Sequence, residues 1–254
     1  MLLIPCLVHV KCGNPMTPRR LIAPIIFTLL WTGVSASLVS SQVTRRGPAP
    51  EPIPADPSQF TVARLQYPGG GDWYWGPSAL PNLLGFIKEN TDILINDQEV
   101  RTKPSDHDLF YHPFIYCTGH GNMRFSDAEL EQMRRYLLGG GFWFINDSYG
   151  MDAAVRRELR RIFPDRDMVE LPFSHSIYHE PFEFPDGPPK IHKHDGKPPR
   201  GYAILDHDRV VVYYLVESDI GDGWEDPQVH KDPPEKRLEA LRLGTNLAVY
   251  ALTH

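Results

Sequence analysis

The stretch SDAELEQMRRYLLGGGFWFINDSYG, residues 126–150, decides the fold class. Ser126 with Glu129 three positions on forms a capping box, the signature of a helix start. Leu130, Met133 and Leu137 follow at helical spacing, and Gly139-Gly140-Gly141 stop the helix. Phe142 to Asn146 is a short apolar run that reads as a buried strand. Asp147-Ser148-Tyr149-Gly150 then turns the chain straight into another helix, with Met151, Val155, Leu159 and Ile162 on one stripe and Pro164 at its end. Helix, buried strand, tight polar turn and helix in succession point to a parallel sheet covered by helices.

Working outward, Phe60 to Tyr67 reads as a strand leading into the glycine loop 68–73. A helix is expected over Ser78 to Asn90, with Ser78 as N-cap and Leu80, Leu83, Leu84 and Ile87 inward. A short strand is expected near Ile93–Ile95 or Glu99–Arg101. Phe114 to Cys117 is an apolar run ending at Thr118-Gly119-His120-Gly121. Residues 165–200 are rich in proline and glycine and read as a long loop-like insertion. Tyr202–Leu205 and Val210–Val216 form a hairpin around Asp206-His207-Asp208. An acidic loop, 217–226, and a closing helix from about Pro234 to Leu252 follow. The expected class is a three-layer α/β sandwich with a mostly parallel sheet, flavodoxin-like. Segments 68–73, 118–122, 147–150 and 217–226 each follow a strand. In an open parallel sheet such segments gather at the carboxyl ends, where ligands bind, unless the hairpin turns 217–226 away.

The chain has 254 residues, 41% hydrophobic and 23% charged, with a formal charge of −6. This is ordinary globular composition. Met16 to Arg20 supplies two arginines, Leu21 to Leu30 an apolar run, and Val34-Ser35-Ala36 a small-residue site. The order matches a secretory signal peptide starting at Met16, and the run is short of the ~20 residues a spanning helix needs. The expected organisation is a signal segment over 1–36, a proline-rich linker over 37–58 and one domain over 59–254. An uncleaved segment is the one membrane attachment this reading allows. Beyond residue 36 the chain holds 23 basic and 32 acidic residues, which argues against a nucleic-acid partner. Cys117 is the single cysteine of that part.

Several residues on the presumed ligand edge carry chemistry. His120, between Gly119 and Gly121, suits a base, a metal ligand or a ligand donor; the plain alternative is a histidine bonded to its own loop. Ser148, after Asp147, stands where a hydroxyl can meet helix N-terminal amides; either residue would equally serve as a cap. His192, His194 and Asp195 form an H-x-H-D segment, and two imidazoles with a carboxylate suit zinc or iron; a polar staple fixing the insertion is the rival. Asp219, Asp222, Glu225 and Asp226 make a glycine-containing acidic loop, read as solvated or, less simply, as a calcium site without EF-hand spacing. Gly70, Gly71 and Asp72, with Trp73, Tyr74 and Trp75, offer an aromatic platform for a sugar ring. Asp222, Trp224 and Glu225 are further ligand-binding candidates.

YPGGGDWY at 67–74, TGHGNMRFSD at 118–127, GGGFWFINDSYG at 139–150, KIHKHDGKPP at 190–199 and GDGWEDPQVHKDPPEKR at 221–237 together resemble the bacterial domain-of-unknown-function family 4159, over residues 59–254. The resemblance implies an exported or membrane-linked protein without an established activity. The stretch through Asp147 is also similar to class I glutamine-amidotransferase-like folds. Those place a catalytic cysteine on the turn after the corresponding strand, where this chain has Asp147-Ser148-Tyr149-Gly150. The functions left open are an exported ligand-binding or accessory module with a degenerate amidotransferase-like pocket, for a carbohydrate or envelope ligand, a metal-assisted hydrolase, and an interaction domain of a membrane-associated complex.

Overall fold

Strands β1 (Val62–Leu65), β2 (Val100–Thr102), β3 (Phe114–Cys117), β4 (Phe142–Asn146), β5 (Val169–Glu170), β6 (Arg200–Asp206) and β7 (Arg209–Val216) form one sheet in the order β2-β1-β3-β4-β7-β6-β5. The computed structural model describes residues 59–254, so the expected signal segment and linker lie outside the described residues. The first five strands in that order run parallel, and β6 and β5 complete the sheet antiparallel. Both expected positions for the second strand reach the sheet: β2 is the strand proper, and Ile95 bridges Phe60.

Side chains of a strand alternate between faces, and here each face is apolar. Phe142 and Phe144 of β4 pack with helices α1 (Ala79–Asn90) and α6 (Pro234–Thr253), while Trp143 and Ile145 pack with α2 (Asp127–Leu138) and α3 (Asp152–Ile162). Two helical layers thus enclose the sheet, the three-layer α/β sandwich that the sequence predicts. The chain leaves β1 through α1 to reach β2 on one side, then returns to β3 on the other. The carboxyl ends of β1 and β3 therefore flank a topological switch point, the place where open α/β sheets leave a crevice.

The capping box of α2 forms as read: Ser126 Oγ accepts from the Glu129 amide and the Glu129 carboxylate accepts from the Ser126 amide. Ser78 departs from its expected role. Its backbone is already helical, and its hydroxyl caps nothing in α1. It donates to Glu225 Oε1 at 3.1 Å and accepts from the Asp226 amide at 3.0 Å, tying α1 to the segment after β7. That segment is not a solvated acidic loop. It contains helix α4 (Ile220–Trp224), and Asp219, Asp222 and Glu225 are all buried. Because β7 runs parallel to β4, its carboxyl end stays on the ligand edge despite the hairpin.

The insertion between β5 and β6 holds one turn of 3-10 helix, Ser176–Tyr178, and is otherwise irregular. Asn246 of α6, fully buried, fixes it by donating to the Ile177 and Phe182 carbonyls and accepting from the Phe182 amide. From there the insertion climbs to the carboxyl edge, where the Ile191 amide bonds the Ser218 carbonyl at 2.9 Å.

Glu158 of α3 has a fully buried side chain, so its charge must be matched. Burial alone would raise its pKa, but donors from Arg157, the Phe125 amide and Arg161 outweigh it and hold the carboxyl below its usual range. A carboxyl whose pKa is depressed by folding stabilises above its unfolded value, near about 4.3, and loses that contribution as pH falls through the folded value. The melting temperature of Glu158→Gln is therefore expected to lie below wild type at pH 7, by an amount equivalent to about 1–3 kcal/mol, and the gap to narrow below about pH 4. A gap that is constant with pH would refute this role for Glu158.

Candidate metal centre

His192 and His194 meet a carboxylate, but the carboxylate is Asp219, not the expected Asp195. His194 adopts φ 41°, a turn and not an extended strand, so its neighbour Asp195 is carried outward, where it bonds Tyr149 and Lys197. Asp219 stands just past β7 with φ 65°, a left-handed conformation that aspartate tolerates better than most residues. Its Oδ2 lies 3.1 Å from His192 Nδ1 and 3.0 Å from His194 Nε2. Its Oδ1 accepts from Asn146 at 3.1 Å.

The cluster extends through α4. Asp222 Oδ2 lies 3.5 Å from His192 Nδ1 and 3.4 Å from Nε2 of His230, the last residue of helix α5 (Pro227–His230). Five donor atoms thus run in sequence through His194, Asp219, His192, Asp222 and His230. His192, His194 and Asp219 hold donors within 4.8 Å of one another, as do His192, Asp222 and His230. Bonds of about 2.1 Å to a zinc-like cation put adjacent ligand atoms about 3.0 Å apart in an octahedron and about 3.4 Å apart in a tetrahedron. The spacings found here, 3.0 to 3.5 Å, lie at or within about 0.1 Å of that range. Asp232, 3.3 Å from His192 Nε2, backs that imidazole at the nitrogen opposite its donor, while Glu225 lies 3.1 Å from His230 Nε2, the nitrogen that also faces Asp222. Carboxylates behind a metal-bound imidazole fix its tautomer and orientation.

The electrostatics follow from the geometry. Burial opposes ionisation of Asp219, but hydrogen bonds from His192, His194 and Asn146 prevail and hold it far below the ordinary range. Asp222 is pushed up, first by burial and then by the charge of Asp219. The hydrogen bond to Asp219 raises His192 to about 9 and raises His194 as well. In the metal-free cluster protons therefore occupy the bonds that a cation would take, and binding of a metal would release them.

The floor of the cluster is rigid. Asn146, at the end of β4 and fully buried, donates to Thr118 Oγ1, Ser148 Oγ and Asp219 Oδ1 and accepts from the Gly221 amide. A Cβ at Gly221 would stand 2.3 Å from the Tyr116 hydroxyl, so only glycine lets α4 sit this low. Among the described residues that buried hydroxyl has no hydrogen-bond partner, an unsatisfied polar atom against the turn that carries Asp222.

His120 lies nearby at the switch point. Its Nδ1 is 3.0 Å from Asp72 Oδ2, and its amide donates to Asp72 Oδ1, so one carboxylate fixes both ring and loop. The rings of His120 and Trp75 meet edge to face at 4.8 Å, and the Trp75 indole donates to Asp222 at 2.9 Å. The two glycine loops pack on each other: a Cβ at Gly119 would stand 2.6 Å from the Tyr67 hydroxyl, and one at Gly71 2.8 Å from the Asn122 carbonyl. Close approach of loop to loop is thus what these two glycines serve. Gly70 and Gly121 face open space.

The remaining candidates divide. Ser148 is buried, and its Oγ lies 2.8 Å from Thr118 Oγ1 and accepts from Asn146; among the described residues no imidazole bonds it. Asp147 accepts from the Tyr149 and Met151 amides and from the Tyr214 hydroxyl, holding the entry to α3. Trp224 is fully buried between Tyr116 and Phe144, with its indole on the Ala240 carbonyl, which makes it part of the core. Trp73, Tyr74 and Trp75 do not share one platform: Trp73 packs on the α2–α3 side of the sheet under Arg101, Trp75 turns to Asp222, and Tyr74 is exposed. Cys117 is buried in the core and its thiol is pushed well up by desolvation. His230 and Asp232 escape a reading by local spacing, because they join the cluster from a segment some forty residues beyond His192. The motif GDGWEDPQVHKDPPEKR at 221–237, which holds both residues, is the signal that could have found them.

The fold and the cluster define a class: a mostly parallel α/β sandwich with a histidine–carboxylate centre at the carboxyl edge of its sheet. The family model for Domain of unknown function (DUF4159) matches residues 61–252, and the chain belongs to that family. No curated protein matches the chain. No helix among the described residues is long and apolar enough to cross a membrane.

Proposed function

We propose that this chain is an exported metal-dependent hydrolase. Its ion would be a divalent transition metal held by His192, His194 and Asp219, beside an adjoining set of Asp222 and His230 that shares His192. The observation that carries the reading is the run of five imidazole and carboxylate donors at metal-ligand spacing. Mixed imidazole and carboxylate donors suit zinc, iron or manganese, and calcium would ask for oxygens alone. When bound, such an ion lowers the pKa of water and polarises an acyl or phosphoryl oxygen. His120, with Nδ1 turned to Asp72, keeps Nε2 for a proton and serves as the general base. Export rests on the Met16–Ala36 segment.

Glutamine amidotransfer by a cysteine on the β4 turn is not part of this reading, since Asp147 to Gly150 supply none and Cys117 is buried. The engagement of Ser148 and Asp147 in the scaffold argues equally against a serine nucleophile. That engagement also favours the second reading, a binding module that does no chemistry.

The test is elemental analysis of purified full-length protein after dialysis against zinc, iron or manganese, with hydrolysis of p-nitrophenyl acetate and bis-p-nitrophenyl phosphate followed in parallel. One equivalent of metal, metal-dependent turnover and a fall of about 10²–10⁴-fold in His120→Ala are expected. Metal uptake without turnover on either ester would leave the binding module. No uptake from any of the three ions would end the metal reading.

A further inference from the structure

A cleft of about 590 Å³ opens beside the cluster, and His194 belongs to both. Its volume is in the range of small-molecule sites, about 300–1,000 Å³. Tyr149 stands at its mouth, half exposed, its ring 5.4 Å from that of His194 and its hydroxyl 3.0 Å from Asp195. Tyr149 also holds φ 113°, a conformation that side chains rarely adopt. Such strain costs about 1–3 kcal/mol and collects at sites where it serves function. The residue places an aromatic ring in the lining of the cleft from the turn after β4, at the carboxyl edge of the sheet.

Each of the three basic side chains that line the cleft has a carboxylate partner, and the lining also holds Asp147 and Glu217. Arg156 bonds Asp152 at 2.7 Å and lies over the Tyr202 ring at 4.7 Å. Lys197 bonds Asp195 at 3.0 Å, and Arg200 bonds Glu170 at 2.9 Å. With each cation matched, the cleft offers no excess positive charge to an anion. What it offers is fixed carboxylate acceptors beside guanidinium and ammonium donors, arranged around an open aromatic face. Paired donors and acceptors of this kind suit hydroxyl groups, and a ring face suits the apolar face of a sugar.

We propose that this cleft takes a neutral saccharide, seated on Tyr149 with its reactive end toward His194. The direction of that end rests on the metal-centre reading; the ligand class rests on the cleft alone. The test titrates full-length protein, metal-loaded and chelator-treated, with triacetylchitotriose, maltotriose and cellotriose, and with trigalacturonate as the anionic counterpart, by calorimetry and saturation-transfer NMR. At least one neutral trisaccharide is expected to bind with Kd of about 1 mM or tighter, and trigalacturonate no more tightly. Tyr149→Gly, which suits the backbone, is expected to weaken that binding about tenfold with the melting temperature unchanged or raised. Absence of binding by all three neutral probes at about 10 mM, tighter binding of the anion, or undiminished binding by Tyr149→Gly would overturn the proposal. Metal uptake without saccharide binding would refute the saccharide alone, and saccharide binding by a protein that takes up no metal would refute the metal centre alone.

Discussion

Full-length protein carrying Asp219→Asn is expected to lose its affinity for zinc by more than about a hundredfold. Changes to the groups behind metal ligands already cost about 10–100-fold, and Asp219 touches both His192 and His194 directly. Asparagine keeps the size of the side chain, tolerates the left-handed backbone at φ 65° and can still accept from Asn146. What it removes is the charge. The bonds that raise His192 and His194 weaken with it, so both imidazoles fall back toward their ordinary range. Competition against a zinc-sensitive dye measures the affinity, and thermal unfolding of the metal-free protein checks the fold. Wild-type zinc affinity in a folded Asp219→Asn protein would remove Asp219 from the ligand set.

The largest loss of stability is expected for Arg64→Met. Arg64 lies in β1 with its side chain 1% exposed. Its guanidinium bonds Glu99, the Trp75 carbonyl at 2.7 Å and the Gly76 carbonyl at 2.9 Å, and lies over the Tyr116 ring. Methionine fills much of the volume but leaves two buried carbonyls bare and Glu99 with Arg101 alone. Breaking a buried pair in this way costs about 3–5 kcal/mol, and a melting temperature lower by roughly 10 °C follows for a domain of this size. Arg64 also anchors the turn that holds Trp75 against Asp222, so metal affinity is expected to fall with it. A drop of less than about 3 °C by calorimetry would show that water replaces the guanidinium there.

The residues that announce themselves in sequence are those whose roles are local. The Ser126–Glu129 box, the Gly139–Gly141 stop and the apolar strand at Phe142 act within a few positions, so periodicity and capping rules expose the fold class and the carboxyl edge. His192 and His194 were legible as a pair for the same reason. Their partner was not, because Asp195 is adjacent in sequence while Asp219 is adjacent in space, brought there by the parallel pairing of β7 with β4. Burial reversed two further expectations. The acidic segment after β7 contains a short buried helix, since Gly221 allows it to sit on Tyr116, and Trp224 at its end fills the core. Ser78 has the composition of a cap, but Glu225 and Asp226 offered it partners from the far end of the chain. No local rule registers a contact of that range.

The donors of the cluster come from a late stretch of the chain. His192 and His194 precede β6, Asp219 and Asp222 follow β7, and His230 and Asp232 follow α4. Asn246, which fixes the insertion carrying the first two, comes later still, within α6. During synthesis the first four parallel strands can form and pack while the cluster does not yet exist. Its assembly waits for the hairpin to dock β7 against β4, a contact of long sequence range and therefore slow to close. A chain that stops before α6 would lack both the helix that covers one face of the sheet and the clasp that holds the insertion carrying the imidazoles. The cluster therefore depends on contacts that span most of the domain, and its geometry reports on the whole fold rather than on any one segment.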